Sequence, residues 1–427
     1  MERFVIEGGR RLNGSITPTG NKNAALPLLA ATLLTDEPVV LHNIPQIGDV
    51  DNKIALLRKL GVRVERSGDH SWSLVAADVG DAQPDVALSR SIRTSVLLAG
   101  PLLARRGHVV LPRPGGDVIG RRRLDTHFLA LRGLGAQIEI TPSAYVLRAD
   151  KLQGADLFLD EMSVTGTEQA IMTAVLAEGT TTICNAASEP HIQDLCRFLN
   201  TLGARISGIG TNMLTIAGVA RLGGGTYTIG PDFMEVASFI GLAAITSSTI
   251  RICDARPLDH RMTRIAFGRL GVSWQDVGND ILVPGDQELR VQEDIHGAIP
   301  KIESMPWPGF NPDLISIALV VATQARGTVL IHEKLFESRL YFVDRLIGMG
   351  ARIVLCDPHR AVVAGPNQLY GEPDGMPSPD IRAGMALLIA ALCAQGRSVI
   401  YNIGQIDRGY ERIDQRLRAL GAQIERV

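Results

Sequence analysis

Aromatic residues are scarce in this 427-residue chain, at 4%, and the formal net charge is only −2. Both figures weigh against a nucleic-acid partner, because few rings are available to stack on bases and no basic surface meets phosphates. Cysteine is equally sparse. The five thiols, Cys184, Cys196, Cys253, Cys356 and Cys393, form no Cys-x-x-Cys pair, and the nine histidines have no paired metal-ligand spacing. No metal or cofactor is therefore expected, and scattered unpaired cysteines fit a reduced, cytoplasmic protein. No apolar run reaches the roughly 20 residues of a membrane span, and the longest, over 383–394, reads as a buried helix. The N-terminal Met-Glu-Arg-Phe-Val-Ile-Glu-Gly-Gly has no basic segment leading into an apolar one, so neither export nor a membrane partner is expected. What remains is an ordinary globular composition, 45% hydrophobic and 21% charged, in a length that suits two to three domains.

The chain repeats itself. A phrase of Leu or Met, Gly, Ala or Val, any residue, then an aliphatic residue or Trp begins at Leu60, Leu134, Leu202, Leu270, Met349 and Leu420, at spacings of 74, 68, 68, 79 and 71 residues. Each copy follows an apolar strand, a polar loop and an amphipathic helix, as in 180–184 before a helix over 194–201 and 328–331 before one over 341–347. Glycine directly after a helix is the expected stop. A short hairpin follows each full copy. Each unit also carries a second helix that is apolar nearly all round, over 23–34, 92–104, 167–176, 234–245, 314–323 and 381–394. Such helices belong inside, with the amphipathic ones outside. The fold class is α/β, with six units whose sheets lie outward and whose helices lie within.

The last copy ends at Val427 without a hairpin, yet Phe4-Val5-Ile6-Glu7-Gly8 through Gly14 resembles the missing piece. The N-terminus is therefore expected to close the sixth unit. That gives two three-unit domains, 22–229 and 1–21 plus 230–427, with a cleft between them.

The apolar helices begin at or near polar residues: Lys22 and Asn23, Arg93, Ser163, Asp232, Asp313 and Arg382. Helix N-termini offer unpaired N–H groups and partial positive charge, and so attract anions. Ser163, Asp232 and Asp313 are either N-caps or site residues. Capping does not explain Lys22, Arg93 and Arg382, which are either solvated charges or ligand-binding groups. Pro112 through Arg123 places glycines beside one carboxylate, Asp117, among arginines. It is either an ordinary surface loop or a segment able to close over a phosphate-bearing ligand.

The six units, the 20–27 segment Gly-Asn-Lys-Asn-Ala-Ala-Leu-Pro, the Pro-Gly-Gly-x-x-Ile-Gly-x-Arg run over 114–122, and the 406–412 segment Ile-Asp-Arg-Gly-Tyr-Glu-Arg together resemble the enolpyruvyl transferases. The resemblance spans essentially the whole chain. It implies a pair of inside-out α/β barrels acting on two small molecules; a monomer is expected separately, because two such halves would bury each other's cleft faces. One is phosphoenolpyruvate, whose enolpyruvyl group is transferred, and the other is UDP-N-acetylglucosamine, whose 3′-hydroxyl receives it as phosphate leaves. This step would commit sugar to peptidoglycan, linking the chain to cell shape and division.

Carried over residue by residue, the resemblance implies that Lys22, Arg122 and Arg408 hold the phosphate of phosphoenolpyruvate. Arg339 and Arg382 would neutralise its carboxylate side, with Glu337 and Asp380 orienting them. Asn23 would border both substrates. Arg93, Arg122, Arg123, Leu124, Asp125, Thr126, Glu161, Ser163, Val164, Asp313 and Leu335 would surround the sugar nucleotide. Asp313 would serve as base. Asp117 would donate the proton, from a position where most members carry cysteine. Glu161, Thr165-Gly166, Arg123 and Phe233 depart from the usual pattern, which leaves open a different nucleotide, shikimate 3-phosphate, or a silent sugar-nucleotide-binding relative.

Overall fold

One device ends all six outer helices. The computed structural model describes residues 2–80, 83–116 and 123–427. The helices before the six phrases are Gly48–Lys59, Asp125–Gly133, Pro190–Thr201, Arg261–Gly268, Val343–Gly348 and Ile413–Ala419. Gly61, Gly135, Gly203, Gly271, Gly350 and Gly421 follow them with φ between +82° and +101°, a conformation that costs other L-residues. Beyond the first, the Val62 N–H returns to the Leu57 carbonyl (3.0 Å) and the Gly61 N–H to Arg58 (3.0 Å). The same paired bonds recur at the other five, as from Ala204 to Leu199 and from Ala422 to Leu417. This is the Schellman arrangement, which satisfies the last carbonyls of a helix and turns the chain into the next strand.

Six sheets result among the described residues, built to one plan. The strand after the inner helix pairs antiparallel with the second arm of the hairpin that follows the outer helix. Val39–His42 with Ser71–Val75, and Gly327–His332 with Arg360–Gly365, are two instances. Five sheets gain a parallel edge strand from the preceding stretch of the cycle, such as Gly225–Thr228 beside Val39–His42 and Lys301–Glu303 beside Gly327–His332. In the sheet of the last unit the hairpin arm is Arg3–Glu7, which lies between Arg397–Tyr401 and Gln423–Arg426 and is antiparallel to both. The next strand, Asn13–Ile16, then joins Thr249–Ile252 in parallel.

The chain forms two compact units, residues 2–19 with 231–427 and residues 20–116 with 123–230. Each has three sheets and its own core. In the former, helices Phe233–Ile245, Ile315–Ala322 and Ile381–Cys393 pack on one another, and all thirteen residues of Phe233–Ile245 are buried. In the latter, Lys22–Ala31, Val164–Ala174 and Ala99–Arg106 fill the same role. Two inner helices expected as single elements, over 92–104 and 314–323, are instead entered through 3₁₀ turns, Arg93–Leu98 and Pro312–Leu314. The tighter turns carry Arg93 and Asp313.

Candidate functional site

In the unit around residues 20–230, Asn21 caps the first inner helix by accepting the Ala24 N–H, and Lys22 is its first residue. A cation there opposes the helix dipole. Asp49, in the first turn of Gly48–Lys59, offsets it: the Lys22 Nζ lies 3.0 Å from the Asp49 carboxylate, and both side chains are largely buried. The solvated alternative for Lys22 therefore fails. One turn further along that helix, buried Lys53 donates to the Thr94 carbonyl at 2.7 Å and ties Asp49's helix to the turn that opens with Arg93. Burial pulls the Lys53 amine down to about 7, against the pull of Glu168. Burial and Glu189 raise Glu168. Asn23 is the half-buried second residue of the inner helix.

Arg93 leads to a second group. It donates to the Arg123 carbonyl (3.2 Å), and Arg123 pairs with Asp125 (2.9 Å) at the start of helix Asp125–Gly133. Leu124, just before it, is buried. Thr126 donates to Asp160 (2.6 Å), next to exposed Glu161. Ser163 caps Val164–Ala174 by accepting the Gly166 N–H, so its capping reading holds. A Cβ on Gly166 would fall 2.9 Å from the Thr126 methyl, so glycine there lets the two helix starts meet. Beneath them His127 bonds the Thr165 hydroxyl, and burial with the charge of Arg93 lowers its pKa to about 3. Asp125 and Thr126 stand in the first turn of helix Asp125–Gly133. Gly115, where the arginine-rich segment begins, packs on the Arg90 carbonyl so closely that a Cβ would lie 1.7 Å from it. Asp117 and Arg122 lie outside the described residues.

In the other unit, Asp313 gathers the cations. Asn311, not Asp313, caps its turn. Asp313 Oδ1 accepts from Arg339 (2.8 Å) and Oδ2 from Arg382 (3.2 Å), and both arginines are nearly fully buried. Arg382 is the second residue of Ile381–Cys393, so its solvated alternative fails as well. Burial alone would lower its pKa, but the charges of Tyr410, Asp313 and Asp232 outweigh it and leave it raised. Arg382 also donates to the Tyr410 hydroxyl (3.2 Å), which bonds Ser238 (3.0 Å). Asp232 caps Phe233–Ile245. Asp380 caps Ile381–Cys393 through the N–H groups of Arg382 and Ala383. It therefore acts on Arg382 through the backbone, and Asp313 is the carboxylate that orients both guanidinium groups. Arg408 donates to Gln405 (2.8 Å). Leu335 and Glu337 are exposed on the segment before Arg339.

Asp49, Lys53, Glu168, His127, Asp160 and Tyr410 were not singled out from the sequence. A signal existed for Glu168, a charge inside an otherwise apolar helix. Asp49 carries none, since an acid in a first turn is ordinary dipole pairing. Among the described residues, no three His, Cys, Asp or Glu are placed to hold a metal, and no helix is long and apolar enough to cross a membrane.

Six strand-and-helix units, with buried cations and carboxylates paired at helix starts, define an α/β repeat protein that gathers charge at its inner helix ends. The profile of the family described as EPSP synthase (3-phosphoshikimate 1-carboxyvinyltransferase) matches residues 6–417, and the chain belongs to that enolpyruvyl transferase family. It is 56% identical to the UDP-N-acetylglucosamine 1-carboxyvinyltransferase of Treponema denticola, over 100% of this chain and 99% of the relative. Its identity to the enzyme of the same name from Bradyrhizobium diazoefficiens is also 56%, over 100% and 98%. Among solved structures, the enolpyruvyl transferase NikO from Streptomyces tendae superposes with a TM-score of 0.88 at 24% identity, covering 100% of this chain and 99% of that one. An EPSP synthase from Acinetobacter baumannii gives 0.75 at 17% identity, with both chains fully covered. At these identities the likeness to the two structures shows the fold alone.

Proposed function

We propose that this protein transfers the enolpyruvyl group of phosphoenolpyruvate to the 3′-hydroxyl of UDP-N-acetylglucosamine, releasing phosphate. The observation that carries the reading is the end-to-end identity of 56% to relatives bearing that activity in their names. The product would enter peptidoglycan synthesis in the cytoplasm and so serve cell shape and division.

The chemistry is addition followed by elimination. The sugar oxygen bonds to the enol carbon while the methylene gains a proton. The methyl group so formed then loses a proton as phosphate departs, restoring the double bond. A base is needed at the hydroxyl and an acid at the methylene. Asp313 is assigned as base and Asp117 as acid. A free aspartate has a pKa of about 3.9, so Asp117 can hold a proton near neutrality only where desolvation outweighs neighbouring arginines.

The remaining roles follow the family resemblance. Lys22, Arg122 and Arg408 take the phosphate of phosphoenolpyruvate, and Arg339 and Arg382 its carboxylate, because guanidinium forks match both groups. Asn23, Arg93, Arg123, Leu124, Asp125, Thr126, Glu161, Ser163, Val164 and Leu335 take the sugar nucleotide. Glu337 supports Arg339, and Asp380 supports Arg382 through its helix start.

The Arg123–Asp125 pair and exposed Glu161 favour one second reading, an enolpyruvyl transferase with another acceptor. One assay tests both: phosphate release from phosphoenolpyruvate with UDP-N-acetylglucosamine, UMP or shikimate 3-phosphate. Release only with UDP-N-acetylglucosamine is expected. No release with any acceptor would leave a silent relative.

A further inference from the structure

Two parallel strands, Lys301–Glu303 and Gly327–His332, end side by side, with Glu303 opposite His332. The chain leaving the first runs through Ser304 to Asp313. The chain leaving the second runs through Glu333 to Arg339. Glu333 is fully buried, and its carboxylate binds both departures. Oε1 accepts from the Ser304 hydroxyl (3.0 Å) on one side, and from the Leu335 N–H (2.8 Å) and Phe336 N–H (3.2 Å) on the other. Ser304 Oγ in turn accepts the Lys334 N–H at 2.8 Å. The second oxygen, Oε2, is buried and has no hydrogen-bond partner.

Arg339 carries the complementary defect. Its guanidinium lies over the Phe336 ring, 5.1 Å from the centroid, and donates through Nη2 to Asp313, but its buried Nε–H has no acceptor. A buried orphan acceptor and a buried orphan donor each cost free energy, and both occur here on the one short segment from Glu333 to Arg339. Burial pushes the Glu333 pKa up, and the backbone bond from Leu335 and the charge of Arg339 push it down.

We propose that Glu333 is a positioning residue for this reaction. Its Oε1 staples together the two loops that deliver Asp313 and Arg339. Its Oε2 is the acceptor for Arg339 Nε–H when that guanidinium turns from Asp313 to the carboxylate of phosphoenolpyruvate. Held from behind, Arg339 presents its Nη groups to the substrate, and Asp313 regains an oxygen for the sugar hydroxyl. The inference rests on the enolpyruvyl-transfer reading.

Glu333→Gln tests it. The amide oxygen preserves the staple, but the charge is lost and an NH2 group faces Arg339. Loss of one hydrogen bond to a charged group should raise the KM for phosphoenolpyruvate about tenfold. The KM for UDP-N-acetylglucosamine and the melting temperature should stay near wild type. A folded variant with both KM values and kcat within about twofold of wild type overturns the proposal. So does a loss of stability without a selective KM change. Should Glu333→Gln not fold, Ser304→Ala removes one donor to Oε1 and should raise the same KM about threefold; an unchanged value again overturns it. Wild-type protein that turns over no substrate would overturn the functional reading and this proposal together, whereas an active wild type whose variant behaves like it overturns this proposal alone.

Discussion

Asp313 shows how one side chain can organise a cluster of like charges. Arg339 and Arg382 are both buried, and each takes a different oxygen of this carboxylate. Asp313→Asn keeps the shape and removes the charge. It should lower kcat by about 10²–10⁴, the range for a lost general base, and lower stability by about 3 kcal/mol by taking from two buried guanidinium groups the carboxylate they both donate to. Steady-state kinetics and urea unfolding would read the two effects, and unchanged kcat would remove Asp313 from the chemistry. His127 tells a second residue-scale story. Its pKa falls from 6.5 to about 3 through burial and the charge of Arg93. The folded state thus resists a proton that the unfolded chain accepts. The associated stability is complete above 6.5 and is lost as pH falls from 6.5 towards about 3. Wild-type melting temperature should therefore drop more steeply below pH 6.5 than that of His127→Gln. Position 117 was legible in the sequence as a departure. Where the family resemblance implies a cysteine, open to alkylation by the epoxide fosfomycin, this chain has a carboxylate, a far poorer nucleophile than a thiolate. The protein should resist fosfomycin, and Asp117→Cys should confer time-dependent inactivation with a covalent mass increase.

Elements repeat more faithfully than side chains do. The six glycine stops were readable because glycine is the residue that takes a left-handed cap without cost, so the physics leaves a mark in the sequence. Their surroundings were not readable, and they separate the six sites. A Cβ on Gly61 would lie 2.4 Å from the Asp78 carbonyl, whereas Gly203 and Gly421 have nothing within 4 Å. Gly203→Ala and Gly421→Ala should each cost about 1–2 kcal/mol, the left-handed strain alone. Gly61→Ala should cost more, because a backbone carbonyl cannot rotate away. Equal shifts in denaturant midpoint across the three would show that the local backbone gives way easily. The 3₁₀ entries at Arg93 and Pro312 escaped the sequence reading, since apolar periodicity does not distinguish three residues per turn from 3.6 over one or two turns.

At the scale of the molecule, the chain's two ends meet in one sheet. Arg3–Glu7 is hydrogen-bonded along both edges, and Phe4 and Ile6 are fully buried. Removing residues 1–9 deletes a central strand, and its two buried side chains alone are worth about 5 kcal/mol, within reach of the ~5–15 kcal/mol that holds a whole domain. The unit of residues 2–19 and 231–427 should lose its cooperative transition in calorimetry, while the other unit, with its own core, keeps one. Loss of both transitions would mean that the units fold as one.

The sequence by itself determined the number of units, the class of fold, the helix stops and the family, because periodicity, left-handed glycines and short motifs are local and each leaves its mark within a few residues. Only the tertiary structure decided which carboxylate answers which cation. Lys22 with Asp49, Arg382 with Asp313 and Arg339 with Asp313 lie 27, 69 and 26 residues apart. Charges in a chain carry no address. Their partners are chosen when burial removes water and leaves only the nearest opposite charge to offset the loss.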